Sequence, residues 1–382
     1  MKPTLAIAAT AALGLLAGCA GQVDSQHPPR ELQDISHSTS VNTLWDEQIG
    51  DGPGMGGYSL SPARDGDTLF AADQHGLVMA LDANTGEVRW EQTLDDGASS
   101  ALTADAGTVY LGTRNGEVVA LDQSSGEEIW RSRVSSEVLS APQINNQLVV
   151  VQTIDGNVTA LERDSGAERW VYTTSRPSLT LRATGTPRII DAVTFAGLAN
   201  GQLVTIENGS GRALWERRIA TPEGRSDIER LVDLAGQPVL TPDGRLYVTS
   251  YNGRLVALQA TSGQVLWSRD VSSYQTPVLV GETLYVVDAD SHLVALSARN
   301  GDEQWRLDDL ESRQLTAPAF ADGRLVVGDF EGYLHFIDAE NGTLVGRTEI
   351  DDSGVSVRPL TDGKRVYAMA DDGSLEALEL NP

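Results

Sequence analysis

The 382-residue sequence contains one cysteine, Cys19. A domain folding in an oxidising compartment would therefore have no internal disulfide and no thiolate metal centre. Lysine is almost as scarce, since Lys2 and Lys364 are the only two. With 54 acidic against 28 basic residues the net charge is −26. A surface that acidic repels phosphate backbones and anionic headgroups, so nucleic acid is not an expected partner. The five histidines, His27, His37, His75, His292 and His335, lack the spacing of a zinc site. No segment shows a long helical period. The glycines at 50, 52, 54, 56 and 57 look superficially like a phosphate loop. No helix follows them, so the dipole that would hold phosphate is missing. They are expected to form a tight connection instead. No catalytic residue, metal or cofactor is expected.

Long apolar runs are also missing, with one exception at the N-terminus. Lys2 is followed by a small-sided apolar stretch from Leu5 to Leu16, too short for a stable membrane span and typical of a secretory signal. It ends in Leu16-Ala17-Gly18-Cys19, which resembles the bacterial lipobox. That resemblance implies cleavage before Cys19 and acylation of its thiol. Several acyl chains give lasting attachment, each buried methylene adding about 0.8 kcal/mol. Ala20 follows where an Asp tends to retain lipoproteins in the inner membrane, so the resemblance implies the outer membrane, facing the periplasm. Residues 1–18 are thus expected to be a signal peptide, 19–40 a lipidated flexible tether and 41–382 the folded body.

What the body has in abundance is a repeat. A Gly, an alternating apolar stretch, Ala-Leu-Asp, a second turn with Gly and then a Trp recur with a period near 40. The first copy runs from Gly76 through Ala80-Leu81-Asp82 and Gly86 to Trp90. Further copies end at Trp130, Trp170, Trp215, Trp267 and Trp305; the seventh has Gly346 where the Trp would be. The eighth stops after Ala377-Leu378, and its missing piece lies at the other end as Thr43-Leu44-Trp45. Period-two alternation with Gly paired to Asn, Asp or Ser at the turns gives about four short strands per copy. This predicts an all-β, eight-bladed β-propeller of four-stranded antiparallel blades. An N-terminal strand completes the last blade and removes two exposed sheet edges. The alanine is expected where neighbouring sheets pack too closely for a larger side chain, and the tryptophans between blades.

Loop length breaks the regularity. From each Trp to the next blade's first turn the usual spacing is 24 to 27 residues, but Trp170 to Gly201 takes 31 and Trp215 to Gly253 takes 38. Both insertions flank the same blade and leave the propeller on one face, so they should form one protruding patch. It carries Leu179, Leu181 and Arg182, an apolar–apolar–basic order suited to an interface anchor. The alternative is that the leucines fold back over the blade tops. Ser226-Asp227-Ile228-Glu229 has the spacing of a capping box that could start one helical turn.

The repeat resembles that of pyrroloquinoline-quinone dehydrogenases. Those enzymes typically carry an adjacent-cysteine disulfide and long insertions around the quinone; this chain has neither. A resemblance over the whole chain is to the BamB family, the lipoproteins of the β-barrel assembly machinery. It rests on the lipobox, Gly50-x-Gly52 running into Tyr58-Ser59-Leu60, Pro177 to Arg182, Ile228-Glu229-Arg230-Leu231, Gly332-Tyr333-Leu334 and the Trp-less seventh repeat continuing into Asp352-Ser353-Gly354. The resemblance implies a non-enzymatic scaffold that binds the periplasmic POTRA domains of the barrel subunit BamA and assists unfolded outer-membrane clients. It also implies partner contacts at Leu179, Leu181, Arg182 and Asp233. Ala235 stands where that family has a second acidic position. The alternatives are a module that holds client strands by edge augmentation and a quinone-dependent enzyme.

Overall fold

The computed structural model describes residues 28–35, 39–175, 177, 179–181 and 185–381. These form eight four-stranded antiparallel sheets arranged as an eight-bladed β-propeller. In order, the blades span 63–93, 103–133, 143–172, 188–218, 239–269, 278–307, 319–349 and 360–381. The eighth takes its outermost strand from Ser40–Gln48, which pairs with Ser374–Asn381. The ring is thus closed by hydrogen bonds between the two ends of the folded body. The glycine-rich stretch that follows connects the last blade to the first. A Cβ on Gly52 would come within 2.2 Å of the Gly373 nitrogen, so only glycine fits there.

The inner strands explain why the sequence alternates as it does. Strands such as Thr68–Ala72 and Leu148–Gln152 are buried on both faces, sandwiched between neighbouring blades. The outermost strands are mostly exposed, and in seven blades a Trp is the main side chain they turn inward. Each of those tryptophans stands directly opposite a small residue on the neighbouring strand: Ala80 with Trp90, Ala120 with Trp130, Thr205 with Trp215, Ala377 with Trp45. A one-residue bulge follows at once. The alanine thus stands directly across the strand from an indole that needs the space. Blade 7 makes the same point by exchange: Phe336 stands opposite Gly346, with the bulk moved to the other strand.

Each Trp also stitches its blade to the next. The indole N–H donates to a backbone carbonyl in the following blade's turn, from Trp45 to Ala83 at 3.2 Å, Trp170 to Asn208 at 2.7 Å and Trp305 to Ala339 at 3.1 Å. Trp90, Trp130, Trp215 and Trp267 do likewise with Gln123, Arg163, Ala260 and Ala298. The ring lies flat on the glycine of that same turn. At Gly86, with φ +75°, an added Cβ would sit 2.8 Å from the Trp45 ring, so the close approach and the left-handed backbone both demand glycine. In blades 5, 6 and 8 a tyrosine shares the carbonyl: Tyr247 also donates to Ala298, Tyr285 to Ala339 and Tyr367 to Ala83.

The junction from blade 7 to blade 8 uses the chain itself. Thr39 donates its N–H to the Val345 carbonyl at 3.1 Å, and its own carbonyl lies over Gly346. A tryptophan at 346 would block this path. Upstream, residues 28–35 of the segment read as tether lie along blades 6 and 7. Arg30 N–H bonds to the Glu311 carbonyl, Leu32 packs on the apolar cluster there, and Arg347 reaches the Gln33 carbonyl. Arg313 holds the Arg30 carbonyl at 3.1 Å while its Nε donates to Asp329 at 2.7 Å. Asp329 in turn bonds to Nε2 of the fully buried His335 at 2.8 Å.

Candidate interaction site

The two long connections, 173–187 and 219–238, flank blade 4 and meet each other. The Leu181 backbone N–H donates to Asp233 Oδ1 at 3.1 Å. Gly185 of the first loop lies against the Leu234 carbonyl of the second, where a Cβ would be 2.7 Å away. The second loop divides sharply. Its base, Leu231, Val232, Leu234 and Ala235, is buried, and nearly all of its tip from 221 to 230 is exposed.

That tip owes its shape to the Ser226/Glu229 pair. Glu229 accepts from the N–H groups of Ser226 and Arg225, and Ser226 Oγ accepts from the Glu229 N–H at 3.2 Å. The two backbone bonds hold the Glu229 carboxyl below its usual range. The box closes a hydrogen-bonded turn over 227–230 and not a helix, because the chain turns down into the buried base within three residues. Asn252 of blade 5 ties the turn down through the Ile228 carbonyl. The Ile228 side chain points the other way and is 65% exposed.

The residues singled out by sequence thus separate. Leu179 is 43% exposed, too open to roof the blades. Leu181 is half-buried with its backbone anchored. Asp233 is 2% exposed and faces inward, its carboxylate holding the first loop in place. Ala235 is buried beside it. Arg182 and Cys19 lie outside the described residues. Ile228, which the sequence shows only as part of a motif, is more exposed than Leu179. The signal was its place inside the capping box, in the longer of the two loops. The two loops are braced against one another, and each exposes one large apolar side chain, Leu179 and Ile228.

The fold defines the class first: an eight-bladed propeller built of quinoprotein-type repeats. Europium-containing methanol dehydrogenase shares it with a TM-score of 0.72, at 14% identity over 88% of this chain and 84% of its own. At that identity the likeness is one of fold alone. The structure of BamB from Moraxella catarrhalis is more similar, with a TM-score of 0.81 over 89% of this chain and all of that one, at 24% identity. The family model described as outer membrane protein assembly factor BamB matches residues 37–111, 97–307 and 289–381. Curated relatives of that name are 46% identical in Pseudomonas aeruginosa, over 97% of both chains, and 45% identical in Alkalilimnicola ehrlichii, over 98% of this chain and 97% of that one. The chain belongs to the BamB family of outer membrane protein assembly factors.

Proposed function

We propose that this chain is a non-enzymatic scaffold lipoprotein of the outer-membrane β-barrel assembly complex. In this reading it binds the periplasmic POTRA domains of BamA through the two loops beside blade 4 and helps present unfolded outer-membrane proteins for insertion. The observation that carries the reading is full-length membership in a family whose curated relatives bear the assembly-factor name. The exposed Leu179–Ile228 pair on braced loops supports the choice of surface. Arg182 would add register by pairing with a partner carboxylate or carbonyl. Asp233 contributes by positioning Leu181. Acylation at Cys19 would hold the propeller at the periplasmic face of the outer membrane. Affinity isolation of the acylated chain from envelope extract tests this. Recovery of the barrel subunit supports it; a wild-type chain that brings down none contradicts it.

A second reading has its own observation. The residue before the blade tryptophan is an exposed apolar side chain in several outermost strands: Leu44, Ile129, Leu214 and Leu266. Those strands end their sheets with free edges. An extended client could add to such an edge. Client crosslinking at these positions that survives loss of the blade 4 loops favours this mode.

A further inference from the structure

Each blade begins with a short chain segment that runs along the central axis before its innermost strand. In seven of the eight blades a proline follows the second residue ahead of that strand, and this fixes the phase of the comparison. The residue before the proline, or before Leu102 in blade 2, lines the axial cavity in seven blades, and in six of them it is Ser61, Ala101, Ala141, Thr186, Thr276 or Ala317. All six are small and uncharged. In blade 8 the same position is Arg358.

Among the described residues, Arg358 is the only charged one lining that cavity, whose volume is about 320 Å³. It makes no hydrogen bond or ion pair among the described residues. That is unusual in a chain with 54 acidic residues and a net charge of −26. Other poorly exposed arginines do reach carboxylates, as Arg313 does with Asp329 and Arg131 with Glu117. The walls around Arg358 add uncharged donors: the hydroxyls of Ser61, Thr186, Thr276 and Tyr274. Desolvation by the surrounding blades pulls the guanidinium below its ordinary pKa. Arginine stays protonated in proteins, and this part-buried guanidinium has no counter-charge among the residues lining the recess. A planar fork of donors with no internal acceptor, ringed by hydroxyls, matches an oxyanion that accepts two parallel N–H bonds.

We propose that the axial channel is a binding site for a small oxyanion, a carboxylate or phosphate group, held by Arg358 and the hydroxyls of the neighbouring blade entries. The cavity suits a small molecule and not a folded partner. The site lies apart from Leu179 and Ile228, so it stands or falls independently of the interface reading.

Thermal melting of the purified full chain in detergent tests it, with acetate and succinate in one arm and inorganic phosphate in the other. Sodium chloride at equal ionic strength is the reference. Wild type should gain about 2 °C, saturably, with the ligand in roughly tenfold excess over its Kd. Arg358→Gln should show no gain, and Arg358→Lys, which keeps the charge but loses the fork, a smaller one. Without ligand, Arg358→Gln should melt at or above wild type, because no internal bond is lost. A response to the carboxylates alone, or to phosphate alone, identifies the source. An equal response in Arg358→Gln overturns the proposal, as does no saturable response in wild type. A ligand-free Arg358→Gln melting well below wild type would make the arginine a structural residue and equally overturn it.

Discussion

Replacing Trp45 by alanine should weaken the whole ring, because Trp45 joins the last blade to the first. The indole is 8% exposed, lies on Gly86 and packs 6.0 Å from the Tyr367 ring. Truncating a buried Trp costs about 3–5 kcal/mol. The lost N–H bond to the Ala83 carbonyl adds little, since Tyr367 still donates to that oxygen at 3.1 Å. For a chain of this size the cost corresponds to roughly 4–7 °C in Tm. The neighbouring Leu44 is 40% exposed, and Leu44→Ala should stay within about 0.5 kcal/mol of wild type. A matched glycine pair separates packing from backbone strain. Gly107 has φ +87° with open space around its missing Cβ, so Gly107→Ala costs only the left-handed strain, about 1–2 kcal/mol. Gly86→Ala carries the same strain plus a clash with a rigid ring and should cost distinctly more. Urea midpoints on the four variants decide the matter. If Trp45→Ala matches Leu44→Ala, or Gly86→Ala matches Gly107→Ala, the stitching account is wrong.

The buried His335 should make the protein acid-sensitive. Burial holds its pKa below the ordinary 6.5, against the pull of Asp329, with Arg347 and Arg313 also opposing a second positive charge. Its Nε2 bonds to Asp329 and its Nδ1 accepts from Arg347 Nε at 3.4 Å, the pattern of a neutral ring. Below about pH 6.5 the unfolded chain gains a proton that the folded chain refuses, so stability falls with pH there and is complete above it. Asp329 adds a second loss near pH 4: burial alone would raise it, but His335 and Arg313 hold it low. Urea midpoints across this range should slope in wild type and flatten between about pH 5 and 6.5 in His335→Gln. Phe336→Ala should cost about 3–5 kcal/mol, because no Trp faces it to fill the space; a loss under about 1 kcal/mol in the melt would contradict the exchange of bulk in blade 7. Cys19→Ala should leave a folded chain that fractionates with soluble periplasmic proteins, and membrane retention in cells lacking the barrel subunit would argue against acyl anchoring.

Much of this was legible in the sequence because it is periodic. Seven tryptophans and one gap, with Trp45 displaced to the start, specify eight blades and the closing strand. The gap itself was not explained by periodicity. Gly346 follows from two relations between distant residues: Phe336 across the strand and Thr39 arriving over it. The paired long loops were visible as spacing, and the Ser226–Glu229 box as a four-residue pattern. The inward turn of Asp233 was not, because it depends on the Leu181 backbone approaching from another loop. Arg358 was hidden for the opposite reason. Its meaning appears only when the blade entries are superposed, seven of them by their prolines.

The most direct test of the proposed scaffold role is the affinity of the full chain for the periplasmic POTRA domains of the barrel subunit, measured beside the melting temperature. Leu179→Ala, Leu181→Ala, Arg182→Ala and Ile228→Ala are the variants. The account predicts binding weakened by tenfold or more for the exposed pair and for Arg182, each hot-spot truncation being worth upwards of about 1.4 kcal/mol. It also predicts melts for Leu179→Ala and Ile228→Ala that match wild type, since both side chains are largely exposed. Unchanged affinity across all four variants, or lost stability with intact binding, would contradict it and return these loops to the propeller's own packing.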